Sequence, residues 1–277
     1  MQISGINFHS PQFCAKRKDV RKADDICRAV KNEFPLLSST YVEEKYLTNR
    51  DKSNYHPYVK NDIKKLSKKI SDTRNAIRSY CASPFYNPVV PRAKSDKVVG
   101  ILDILKEKKV GNCSENAQLA LAAMYANGYY DSQIVGLGYT AEAIDDETGK
   151  VLCKLSPRSG LDHVFVVADI NDDGLKDVVV DPWLGFAGYV TYAIDKFKDI
   201  YCDETEKIKE KCGKKLKRYQ KIGLKKSNSW HIRGSFMISP YQMEAIFPDP
   251  KATGEAIKDA YPSLVLKGHT KNEKECD

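Results

Sequence analysis

No Cys-x-x-Cys pair occurs in this chain, and none of its five histidines stands at zinc-ligand spacing from a cysteine. A structural zinc site is therefore not expected. No apolar run approaches the length that crosses a bilayer, and 30% of the residues are charged, so no membrane span is expected. The first residues, MQISGINFHSPQF, lack the charged start and apolar stretch of a secretory leader. A cytoplasmic protein, or one exported by a route without a classical signal peptide, is the expectation. Internal repeats are absent. The eight cysteines are scattered through a chain too long to need staples, which favours a reducing compartment over a disulfide framework.

What is present is enough apolar material for a full core: 42% of 277 residues are hydrophobic. The formal net charge is +8, and much of the excess lies in Lys196–Lys226, which includes KIKEKCGKKLKRYQKIGLKK. Acidic residues interrupt that run, and it reads as a solvated helix and loop. Nucleic acid is not the expected partner.

Helical spacing is clear in Lys16–Glu33, where Val20, Ala23, Ile26, Cys27 and Val30 share one side and Pro35 follows as a stop. Tyr58–Tyr80 forms a more polar helix with Val59, Ile63, Leu66, Ile70 and Ile77 as its apolar line. A Pro-rich linker spans Ser83–Ser95, and Asp96–Lys108 resumes as an amphipathic helix. Ser114–Ala126 is small and apolar on nearly all sides, the pattern of a buried helix. Strands are expected at Gln133–Tyr139, Lys150–Leu155, Asp162–Ile170, Asp177–Asp181 and Ser229–Ile238. The region Ile194–Tyr219 reads as a basic helix, and Pro240–Ile246 as a short one. Helices first and meandering strands after predict an α+β fold. The expected division is an N-terminal helical region over 1–90, a catalytic domain over 91–264 and a flexible tail over 265–277.

Three short stretches carry chemistry. In GNCSE, Asn112 stands where it caps the next helix and Glu115 follows three residues on, a capping-box spacing that puts Cys113 at the first helical position. The unpaired N–H groups and dipole of a helix start suit a thiolate nucleophile, and the Cys113 N–H is placed to face an oxyanion. Gly111 is expected to leave space for a substrate backbone. His163 stands in DHVFVV and Asp181 in VVVDPW. A hairpin centred near Asp172 sets His163 opposite Asp181, so that the carboxylate orients the ring and the ring takes the proton of Cys113. A one-residue slip would put the two on opposite faces. Cys153 with His231 is a second thiol–imidazole pair, but Cys153 sits mid-strand without a helix start.

Taken together, GNCSENAQLALAAM, DHVFVV and VVVDPW resemble the transglutaminase-like branch of the papain-like cysteine superfamily, and most of all its members among bacterial effectors and toxins. The resemblance covers about Asp96–Tyr192. It implies a papain-like core, in which the Cys-bearing helix packs on an antiparallel sheet carrying His and Asp, here with an N-terminal helical extension. It implies Cys113 as nucleophile, His163 as base, Asp181 as orienter and Trp183 as a shield of the site. It also implies a protein substrate and no required cofactor, since several such proteins deamidate protein glutamine. The papain branch completes its oxyanion hole with an upstream Gln. None occurs between Gln12 and Cys113 in this chain, and Asn112 is the substitute donor considered. A cysteine protease of the same fold and a non-catalytic protein-binding module on this scaffold are the alternatives. Separately, Asp169, Asn171, Asp173 and Asp177 follow the DxNxDGxxD spacing of a calcium loop. Val180 stands where such a loop places its bidentate Glu.

Overall fold

The computed structural model describes residues 16–39, 57–82, 91–155, 162–193, 229–240, 247 and 249–266, with 210, 213, 214 and 217 besides. The fold is α+β with antiparallel strands. The helices are α1 (Arg17–Glu33), α2 (Pro57–Ala82), α3 (Pro91–Lys108), α4 (Cys113–Ala126) and α5 (Pro250–Ala260). The strands are β1 (Ser132–Asp145), β2 (Val151–Leu155), β3 (Asp162–Ala168), β4 (Val178–Asp181), β5 (Phe186–Tyr189) and β6 (Trp230–Pro240). Most of the expected basic helix at Ile194–Tyr219, the short helix after Pro240 and the end of the tail lie outside the described residues.

Two compact units are woven from several segments each, and they do not follow the linear order 1–90, 91–264, 265–277. One comprises 1–11, 135–164 and 190–241; the other comprises 12–134, 165–189 and 242–277. In the first, β1 is the central strand. It pairs antiparallel with β2 from Ala141 to Ile144, and with β6 from Val135 to Asp145. It runs well past the expected end at Tyr139, because its two partners hold the TAEAID stretch extended despite the modest strand preference of Ala and Glu.

The second unit is mainly helical. Of the line expected on α1, Ala23, Ile26, Cys27 and Val30 are buried and Val20 is partly exposed, and α1 packs against β4, β5 and α4. Val98, Ile101, Leu102 and Leu105 of α3 are fully buried as well. α3 begins at Pro91 rather than Asp96; proline suits a first helical turn, where its missing N–H has no intrahelical partner. α4 is buried from Glu115 to Ala126 and packs on α1, β4 and α5. Strand β4 lies antiparallel between β3 and β5, and every residue of Val178–Asp181 is buried. A continuous apolar strand of that kind belongs to a sheet covered on both faces.

Helix α5 was not anticipated, although its start is written locally. The Asp249 side chain accepts the Ala252 N–H and Pro250 opens the first turn. It lies so close to α4 that a Cβ at Gly254 would stand 2.3 Å from the carbonyl oxygen of Tyr125.

Candidate functional site

Cys113 opens α4 and is half-buried, as is Ser114, whereas the helix from Glu115 onward is buried. The residue before it is held on every side. The Asn112 N–H donates to Glu115 Oε2 at 2.8 Å, the Glu half of the expected capping box. The Asn112 carbonyl accepts from the backbone N–H of Asn116 at 3.1 Å and from its Nδ2 at 2.9 Å. Glu115, only 3% exposed, is matched by a bidentate guanidinium. Arg74 of α2 donates from Nε to Oε1 at 2.7 Å and from Nη2 to Oε2 at 2.9 Å.

The Asn112 side chain faces an extended strap, Leu37–Ser39. The strap lies parallel to Val110, with the Leu37 N–H on the Lys109 carbonyl at 3.0 Å and the Gly111 N–H on the Leu37 carbonyl at 3.0 Å. Asn112 Oδ1 accepts from Ser38 Oγ at 2.9 Å and from the Ser39 N–H at 3.1 Å. Its Nδ2 donates to Ser39 Oγ at 3.3 Å. The amide considered above as an oxyanion donor is thus engaged with the strap. The role expected of Gly111 is corrected too: a Cβ there would meet Glu115 Cβ at 2.7 Å and Leu36 Cδ1 at 2.8 Å. Its missing side chain makes room for Glu115 and Leu36, not for a substrate backbone.

Asp181 is buried at the end of β4, where Oδ1 accepts the Leu184 N–H at 3.2 Å and closes the turn before β5. Two residues on, Trp183 Nε1 donates to Ser38 Oγ at 2.9 Å. The strap therefore joins the turn after Asp181 to the residue before Cys113. The pairs Val166↔Val180, Val167↔Val179 and Ala168↔Val178 centre the β3–β4 pairing on Asp173 rather than Asp172. Continued, that register sets Phe165, and not His163, opposite Asp181. This corrects the direct His163–Asp181 pairing by two residues along β3, a step that preserves which side of the strand His163 shares. His163 is buried at the start of β3 and belongs to the other compact unit. Cys113, Asn112, Asp181 and Trp183 share one unit.

Cys27, which sequence reasoning took only as core, lies in the field of Asp181. Burial first, and the Asp181 charge second, push its thiol up from 9.0 to about 12. It is held as a buried thiol, while Cys113 is half-exposed. Sequence reasoning also missed Ser38, Ser39 and Arg74. They carry no periodic or motif signal and come from 74, 73 and 41 residues away from their partners at the start of α4.

At the β3–β4 tip, both Asp169 oxygens accept backbone N–H groups, from Asp173 at 3.2 Å and Gly174 at 2.8 Å. Asp173 accepts the Leu175 N–H at 2.8 Å and Asn171 Nδ2 at 3.0 Å. Asp172 and Gly174 take φ of 59° and 83°, which the polar turn accommodates. Asp177 precedes β4. Among the described residues, no three His, Cys, Asp or Glu side chains are grouped to hold a metal ion. In the other unit, His231 is exposed with Nδ1 2.6 Å from Asp146 Oδ1. Ala143 of β1 pairs with both Cys153 and Ile232, so a whole strand separates Cys153 from β6.

Among the described residues, no helix is long and apolar enough to cross a membrane. The chain matches no family model, no curated protein and no solved structure.

Proposed function

We propose that this chain is a thiol enzyme acting on protein carboxamides, most specifically a glutamine deamidase on a transglutaminase-like core, with Cys113 as nucleophile, His163 as base and Asp181 as orienter. The observation that carries the reading is the setting of Cys113. It is a half-exposed thiol at the first position of a buried helix, its preceding residue fixed on all sides and linked through one serine to Trp183, two residues beyond Asp181. Cys27 of the same unit is kept protonated and enclosed, whereas Cys113 is half-exposed at a helix start, the setting that suits a nucleophile.

The chemistry follows in two steps. The Cys113 sulfur, giving its proton to His163, attacks the carboxamide carbon, and the oxygen takes the negative charge beside the Cys113 N–H at the helix start. Collapse breaks the C–N bond, and ammonia leaves with the proton from His163. The thioester is then opened by water, His163 accepting its proton, to give the carboxylate and free Cys113. An amine in place of water gives transglutamination. A peptide amide in place of the carboxamide gives proteolysis.

Cys113→Ala is expected to abolish ammonia release from a glutamine-bearing protein substrate, and to abolish labelling by a thiol-directed amide reagent, with the thermal midpoint little changed. Ammonia release by that variant at the wild-type rate would overturn the assignment. New amino termini without ammonia would move the reading to a protease.

A further inference from the structure

We infer that Ser38 is a positioning residue for Cys113, through a hydrogen-bond relay from Trp183 by way of Asn112; this rests on the proposed Cys113 chemistry. The direction of the relay is fixed by its donors. An indole nitrogen only donates, so Trp183 Nε1 gives its proton to Ser38 Oγ at 2.9 Å. The hydroxyl then has its own proton for Asn112 Oδ1, also at 2.9 Å. Bonds in such a chain polarise one another and orient together.

What lies at each end makes the relay more than a brace. One end is the turn Pro182–Gly185, closed by Asp181 on the Leu184 N–H. The other is the residue whose carbonyl and N–H set the first turn of α4, with Cys113 next in the chain. The strap that carries Ser38 has its own anchors, the Leu37 bonds to Lys109 and Gly111. It therefore acts as a fixed post between the two. Ser39 adds its N–H to the same Asn112 oxygen, and this leaves Ser38 as the residue that reaches both sides. Loss of the hydroxyl frees the Asp181 turn and the Cys113 helix start to move separately. Small misplacements of reacting groups cost a site far more rate than affinity.

The test compares Ser38→Ala, Ser38→Thr and Trp183→Phe with the wild-type chain and Cys113→Ala. Ser38→Ala is expected to lower kcat for ammonia release roughly ten-fold with KM nearly unchanged. It is also expected to shift the pH midpoint of Cys113 alkylation by iodoacetamide, a readout that needs no substrate. Ser38→Thr, which keeps donor and acceptor, should restore both. Trp183→Phe keeps one aromatic six-membered ring and removes the N–H together with the pyrrole ring that carries it; it should reproduce the Ser38→Ala effect on kcat and alkylation, and the double variant should fall no further than the worse single one. Trp183→Phe carries the same test if Ser38→Ala does not fold. A lowered thermal midpoint with unchanged kcat and unchanged alkylation profile would show a merely structural serine and overturn the inference. Ammonia release surviving in Cys113→Ala sinks the functional reading itself. A dead Cys113→Ala beside a fully active Ser38→Ala sinks only the relay.

Discussion

A carboxylate that is almost wholly enclosed needs a counter-charge, and Glu115 takes its own from a residue 41 positions earlier. The two partners are unequally exposed, 40% for the Arg74 side chain and 4% for Glu115. That inequality predicts an asymmetry. Arg74→Ala leaves a buried carboxylate with the Asn112 N–H as its remaining partner among these bonds, a loss of about 3 kcal/mol. Glu115→Gln keeps an acceptor for Asn112 and leaves Arg74 able to reach water, so its cost should be nearer 1 kcal/mol. Denaturant unfolding of both variants measures the difference, and equal losses would count against the account. At this scale, the start of α4 was legible where it is local. Asn112, Glu115 and Cys113 lie within four consecutive positions, and a cap is a local device. Ser38 and Arg74 were not legible, because a serine or arginine that bonds across tens of residues leaves no spacing to read.

Helices announce themselves by period: on α1 four of the five residues of the expected apolar line are buried, Val20 alone being partly exposed, and the amphipathic stretch expected from Asp96 lies within α3. The hairpin register depends instead on the shape of its turn. Symmetry about Asp172 was a fair reading of Asn171-Asp172-Asp173-Gly174. Asp169, however, draws the N–H groups of Asp173 and Gly174 onto its carboxylate and moves the centre to Asp173. Helix α5 shows the opposite case, a local signal overlooked, with Asp249 and Pro250 at its head. Its packing on α4 turns on one residue. A methyl at Gly254 would press on the carbonyl of Tyr125, which is backbone and cannot swing aside. Gly254→Ala is expected to cost roughly 2 kcal/mol or more, through separation of the two helices, although alanine is the better helix former. A thermal midpoint raised by that substitution would show that helix propensity outweighs the close approach.

The mainly helical unit keeps two weak acids protonated far above their ordinary ranges. Cys27 is pushed from 9.0 to about 12 by burial and then by the Asp181 charge. Tyr129 is pushed from 10.0 to about 12 by burial and then by Asp19 and Asp172. Both are neutral when protonated, so the fold favours the protonated form. From about pH 9 upward the unfolded chain gives up these protons while the folded chain retains them, and the unfolded state is the one drawn forward. The contribution of each group is complete below its unfolded value. It is lost progressively as pH rises toward 12, first for Cys27 and then for Tyr129. Wild-type protein under reducing conditions should therefore keep a level thermal midpoint through neutral pH and lose it steadily above pH 9. Cys27→Ala is expected to start from a lower midpoint, because a buried side chain is trimmed, yet to fall less steeply as alkali is added. Its cavity lowers the whole curve, and only the missing titration changes the slope. Parallel curves for the two proteins between pH 9 and 12 would show that Cys27 titrates alike in both states, and that Asp181 and burial do not hold its proton.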